Sequence, residues 1–221
     1  LFNPGVNKLR NQFTGIPAVV VAAGPSLDKN IAALKDARDR CLIISVDTSL
    51  KMFQAYGFEP HFVLSVDGQK INCTHYAGVN LEQTYLVGDT VSHPDILNKF
   101  GNPAGPGASP AVPGASRIFV CTSGHPLNVF LEDTVENKGF LAGSGSVATS
   151  CFALALLMGC DPVIFVGQDL AYSGWRTHTK ISGYQQMSLN KLNRFLTLAD
   201  LVIDFKATHR ETTVQGNYEA E

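Results

Sequence analysis

The sequence carries little net charge, few cysteines and no long apolar run, and each shortage closes off a class of function. Seventeen basic residues stand against nineteen acidic ones, a formal charge of -2, with no basic run and no interleaved aromatic stripe. A protein whose affinity comes from neutralising a phosphate backbone is not built this way, so no nucleic-acid partner is expected. The longest apolar run, CFALALLMGC at 151–160, is about half of what a helical bilayer span requires, so no membrane span is expected. The first ten residues, LFNPGVNKLR, lack the apolar stretch of a signal peptide. Five scattered cysteines, odd in number and without a C-x-x-C pair, read as a reduced, cytoplasmic chain with no structural zinc site. The chain starts without methionine, as a domain cut from a longer protein would. Two common nucleotide fingerprints, G-x-G-x-x-G and G-K-[ST], are missing as well.

What is present is an alternation of apolar runs and amphipathic stretches. PAVVVAA (17–23), CLIISVD (41–47), HFVLSVD (61–67), TYLVGD (84–89), RIFV (117–120) and DPVIFVGQD (161–169) read as strands, the last as a core strand. Between them, SLDKNIAALKDA, SLKMFQAYG and the mostly apolar SVATSCFALALLMG read as helices, the second stopped by Gly57. Continuous Val/Ile runs between helices predict an α/β fold, a three-layer sandwich with a mostly parallel sheet. GNPAGPGASPAVPGAS (101–116) breaks the pattern and reads as a long exposed loop. YQQMSLNKLNRFLTLADLVIDF reads as helical for most of its length. Residues 1–14 are taken as an N-terminal extension, 15–205 as the domain and 206–221 as a polar tail.

In open parallel sheets ligands bind beyond the carboxyl ends of the strands. Three strands deliver Asp47, Asp67 and Asp169 to that edge. Asp47 before TSL also suits a helix cap, and Asp67 before Gly68 suits a turn. The three carboxylates fit either Mg²⁺ or ribose hydroxyls, and spacing alone does not choose. The first strand turns on Gly24-Pro25-Ser26, where glycine permits close approach, proline suits a first helical turn and serine can cap. A second glycine- and serine-rich helix start, Ser144-Gly145-Ser146, repeats the idea. Two such N-termini favour a ligand with phosphate. Tyr172 and His178 flank Trp175 and Arg176 in the loop after the last strand. Beside a phosphate, a histidine can act as base and a tyrosine can stabilise a leaving group.

The stretches GIPAVVVAAGPSLDKNIAAL, DTSL, PHFVLSVDGQ, GSGSVATSCFALALLMGCDPVIFVGQDLAY and THT resemble the core of the motility-associated factor (Maf) glycosyltransferases. That core is shared with the MptE-like 6-hydroxymethylpterin diphosphokinases, and the resemblance runs from about Gly15 to His178. Both are similar in turn to bacterial sialyltransferases of Rossmann-like fold. The resemblance implies that Gly24, Pro25, Ser26, Ser144, Gly145 and Ser146 line a nucleotide site, that Asp47 approaches the nucleoside, and that Gly167 and Asp169 shape its floor. Tyr172 would lie near the leaving phosphate and His178 would be the base. It implies transfer of a nonulosonic acid from a CMP-linked donor to an acceptor hydroxyl, as on flagellin, with no cofactor required. The diphosphokinase alternative implies diphosphate transfer from ATP to 6-hydroxymethyl-7,8-dihydropterin, with Mg²⁺ on Asp67. A third alternative is a non-catalytic nucleotide-binding scaffold. Ala23 stands where the sialyltransferases have asparagine, and their histidine falls further beyond the tyrosine. The denser acidic pattern of the diphosphokinases is missing around LSVDGQ and GSGSVAT, which favours glycosyl transfer.

Overall fold

The computed structural model describes residues 3–101, 117–122, 136–143 and 145–209, together with positions 128, 130, 132 and 134. Six strands appear where the apolar runs predict them: β1 (Ala18–Val21), β2 (Leu42–Val46), β3 (Phe62–Ser65), β4 (Tyr85–Asp89), β5 (Ile118–Cys121) and β6 (Val163–Val166). They form one sheet of order β5-β4-β3-β2-β1-β6. Every pairing is parallel, with Ala18 in register with Leu42 on one side and Val163 on the other. All strand carboxyl ends therefore point to one rim.

Alternation along the strands builds two cores. Val20, Ile44 and Leu64 face helix α5 (Val147–Leu157) through Cys151, Leu154 and Met158. Val19, Val21 and Ile43 face α1 (Leu27–Ala37) and α2 (Leu50–Tyr56) through Leu27, Ile31, Met52 and Phe53. A third cluster joins Val63, Leu86 and Ile118 to Tyr76 of α3 (Cys73–Tyr76) and Ile96 and Phe100 of α4 (Pro94–Gly101). Burial on both faces explains why β1 reads as an unbroken apolar run and β2 as one interrupted only by Ser45. Gly57 ends α2 with φ 69°, a left-handed cap that suits glycine.

Three features depart from the sequence reading. β6 is an edge strand and not a core strand, with Ile164 and Phe165 49% and 44% exposed. The chain returns to the outer side of β1 for its last strand, and an apolar run does not reveal whether neighbours flank it on one side or two. Residues of the expected extension belong to the core, because Val6 and Leu9 are buried and Val120 N–H donates to Pro4 O. The late stretch is helical for most of its length, as expected, in two parts, α6 (Gly183–Lys191) and α7 (Leu198–His209), separated by a turn at Asn193–Leu196. Helix α7 runs to His209, into the segment expected as a tail. The expected loop at 101–116 lies outside the described residues from 102 onward. Among the described residues no helix is long and apolar enough to cross a membrane.

Leu154 is fully buried where α5 meets the sheet. Leu154→Ala is expected to lower unfolding free energy by about 2–5 kcal/mol in urea titration, with the denaturant slope unchanged.

Candidate functional site

Parallel pairing brings the carboxyl end of each strand, and the residues just beyond it, to the same rim. Asp47, Asp67, Asp89 and Asp169 all arrive there from β2, β3, β4 and β6. Helix α5 runs antiparallel to the strands, so its N-terminus emerges at this rim too. Ser146 caps it, accepting Ala148 N–H through Oγ at 3.3 Å, and Gly145 enters with φ 71°. Ser144, the third residue of that expected cradle, lies outside the described residues.

A recess of about 410 Å³ opens between this helix start and the ends of β3–β5. Gly145, Ser146 and Ser150 form one wall, Asp67 and Asp89 the other, and Phe140 and Leu141 add apolar surface. Oδ1 of Asp67 accepts Gln69 N–H at 2.9 Å, and Oδ1 of Asp89 accepts Val91 N–H at 3.0 Å. These turns fix both carboxylates while committing only one oxygen of each. Asp89 was not among the expected site residues. Its signal was present, because VGDT ends β4 as SVDT ends β2.

The first corner is built differently from the expectation. Asp169 accepts Ser26 N–H at 3.1 Å and Ser26 Oγ–H at 2.8 Å. The start of α1 is thus already occupied by a carboxylate of its own chain. Gly24 makes this possible, since a Cβ there would lie 2.0 Å from Asp169 Oδ2. Gly167 has φ 74°, and a Cβ on it would lie 2.3 Å from Ala22 O, so β1 and β6 close against each other. Gly24, Pro25 and Ser26 consequently do not join Gly145 and Ser146 in one cradle. Pro25, Ser26 and Asp169 line a separate recess of about 180 Å³ with Lys29 and Arg176, and Arg176 pairs with Asp28 at 2.6 Å. Both bends share the rim, in different recesses.

Asp47 lies deeper, 5% exposed, opening a short turn in which its Oδ1 accepts Thr48 N–H at 2.7 Å. Burial, reinforced by Asp67, pushes its carboxyl up to about 7. Beside it is a group that sequence reasoning missed. Tyr184 of α6 stands between His75 and His178, with ring centroids 4.8 and 5.2 Å away, and donates to Asn72 Oδ1 at 3.2 Å. Burial pushes His75 down to about 4, helped by Lys51 and His178, and its ring nitrogens are buried with no hydrogen-bond partner among the described residues. Burial also lowers His178, so both imidazoles are shifted toward the neutral form. Nδ1 of His178 is 2.9 Å from Thr177 Oγ1. Neither His178 nor half-buried Tyr172 lines either recess. No sequence motif joins His75 to Tyr184, which are brought together only by α6 folding back over the rim.

The fold is that of a parallel α/β domain, and comparison with known proteins agrees. The 6-hydroxymethylpterin diphosphokinase MptE-like family matches residues 1–174, and the chain belongs to that family. It resembles the Maf glycosyltransferase from Magnetospirillum magneticum AMB-1 at a TM-score of 0.56 and 16% identity, over 91% of this chain and 34% of that one. At that identity the likeness establishes the fold. Two uncharacterized proteins of Treponema pallidum (strain Nichols) are 38% identical over 77 residues and 31% identical over 124. The matches span 34% and 54% of this chain, and 35% and 30% of those proteins, about a third of their length.

Asp47 makes stability depend on pH. Its folded pKa of about 7 exceeds the ordinary 3.8, so the folded state holds a proton the unfolded state has lost between those values. The contribution is complete below pH about 4 and is lost as pH rises to about 7, by up to about 1.4 kcal/mol per unit. Asp47→Asn removes this term. Urea unfolding from pH 4 to 8 should show the variant gaining on the wild type as pH rises, then a constant difference above about 7.

Proposed function

We propose that the chain is the nucleotide-binding core of a transferase that moves a sugar from a CMP-linked donor, a nonulosonic acid, to an acceptor hydroxyl such as one on flagellin. The observation that carries this reading is the recess where the α5 N-terminus faces Asp67 and Asp89. A helix start of this kind stabilises an anion by about 0.3–1 kcal/mol, more when partly buried. Two carboxylates opposite it disfavour a highly charged ligand. A CMP-linked sugar brings one phosphodiester, which the helix start can balance; a free triphosphate adds charge that the carboxylates repel.

In the transfer, the acceptor oxygen forms a bond to the anomeric carbon as the bond to the phosphate oxygen breaks and CMP leaves. The acceptor proton passes to a base. Asp67 and Asp89 face the recess, and we assign the proton to one of them. Tyr172 and His178, proposed from the resemblance for the leaving phosphate and the base, belong to the loop beyond the smaller recess. Gly24, Pro25, Ser26, Gly167 and Asp169 serve as the locked rim, and an anion reaching Ser26 must displace Asp169.

Family membership and the paired carboxylates favour a second reading, diphosphate transfer from ATP to a pterin alcohol. Oxygen donors on one or two carboxylates suit Mg²⁺, which keeps its remaining positions for water and phosphate. Asp67, with Asp89, would hold the ion, and the ion would neutralise the transferred group. The two readings part in a calorimetric titration. CMP is expected to bind without added metal at sub-millimolar concentration, and Ser146→Ala to weaken it several-fold. ATP binding only with Mg²⁺, together with indifference to CMP, would establish the second reading. Silence toward both nucleotides at millimolar concentration would defeat the two together.

A further inference from the structure

Two loops that leave the rim side by side carry a second set of donors. The loop after β3 starts at Asp67 and reaches Cys73, the first residue of α3. The loop after β4 starts at Asp89 and reaches His93 and Asp95, the residues that open α4. One ligand atom from each of Cys73, His93 and Asp95 lies within 4.8 Å of the other two. Cys73 and His93 are half-buried and Asp95 is exposed. His93 Nδ1 accepts Asp95 N–H at 3.2 Å and stands 3.8 Å from Asp95 Oδ2, which holds the ring beside the carboxylate. Lys99, the only lysine on α4, donates to Tyr76 O at 2.5 Å and is committed there.

We propose that Cys73, His93 and Asp95 form a three-ligand site for a zinc-class divalent cation, which ties the β3 loop to the β4 loop. Thiolate, imidazole and carboxylate together suit a borderline-soft ion of tetrahedral habit, and do not suit Mg²⁺ or Ca²⁺. Bonds of about 2.0–2.3 Å bring such ligand atoms to roughly 3.2–3.8 Å apart. The side chains must close by up to about 1–1.6 Å, which an exposed aspartate and a half-buried cysteine can do by rotation. Thiolate and carboxylate together balance the ion's charge, offsetting the positive end of α4. Binding releases the Cys73 thiol proton to solvent. The fourth position is open to water. Because each loop begins with an aspartate that lines the larger recess, the ion would hold Asp67 and Asp89 at a fixed separation.

The test is independent of any transferase activity. The 221-residue chain is titrated with Co²⁺, watching for thiolate-to-metal charge transfer in the near ultraviolet, and then with Zn²⁺ by calorimetry and thermal unfolding. Wild type is expected to give the cobalt–thiolate band, to bind Zn²⁺ stoichiometrically and to unfold at higher temperature with it. Cys73→Ser should abolish the band and the thermal shift. His93→Ala and Asp95→Asn should each weaken Zn²⁺ at least tenfold. Circular dichroism of the metal-free variants checks that they fold, and Asp95→Asn, an exposed change, carries the test if the others do not. No band in wild type, a band surviving in Cys73→Ser, or unchanged affinity in Asp95→Asn would overturn the assignment.

Discussion

Burial of α5 against the sheet is the constraint on which the site depends. Cys151, Leu154, Ala155 and Met158 are at most 0% exposed, packed on β1, β2 and β3. A helix that lies on parallel strands and leads into the next of them must run back along the sheet, so it starts at the carboxyl rim. Its first turn, and with it Gly145 and Ser146, is fixed there by packing remote from any ligand. The same core that stabilises the fold therefore aims the helix N-terminus at Asp67 and Asp89.

The opposite end of the rim shows how an equivalent helix start can be withheld. Strand order reverses between β1 and β6, the usual position for a ligand crevice. Here Asp169 crosses from the β6 side and takes the free amide and hydroxyl of Ser26. Gly24 and Gly167 permit that approach because side chains would collide with Asp169 and with Ala22 O. Glycines that read in sequence as room for a phosphate are, in the structure, room for the chain's own carboxylate. The lock joins β1 to β6 and shifts the larger opening toward β3–β5.

The strands were legible because strands buried on both faces need nearly continuous apolar runs, as in AVVV and in LIISV with its single buried Ser45. The edge position of β6 was not, since VIFV has the composition of a central strand while its neighbours are set by chain reversal. At the site, Asp47 and Asp67 were legible as strand-end carboxylates. Asp89 carries the same mark, since VGDT closes β4 as SVDT closes β2. The Asp169–Ser26 lock spans 143 residues, and the grouping of Cys73 with His93 and Asp95 joins two loops without a C-x-x-C spacing. Neither has a local signature. Tyr184 escaped for the same reason: it reaches His75 and His178 through the return of α6, not through sequence proximity.

The central claim is that a nucleotide phosphate meets the chain at the start of α5, across from the two recess carboxylates. Amide chemical-shift mapping of the isotopically labelled protein during addition of CMP tests it most directly. The account predicts that the largest perturbations fall on Gly145, Ser146 and Val147 and on the turns following Asp67 and Asp89. Perturbations confined to Ser26, Gly174 and Arg176, the lining of the smaller recess, would contradict it.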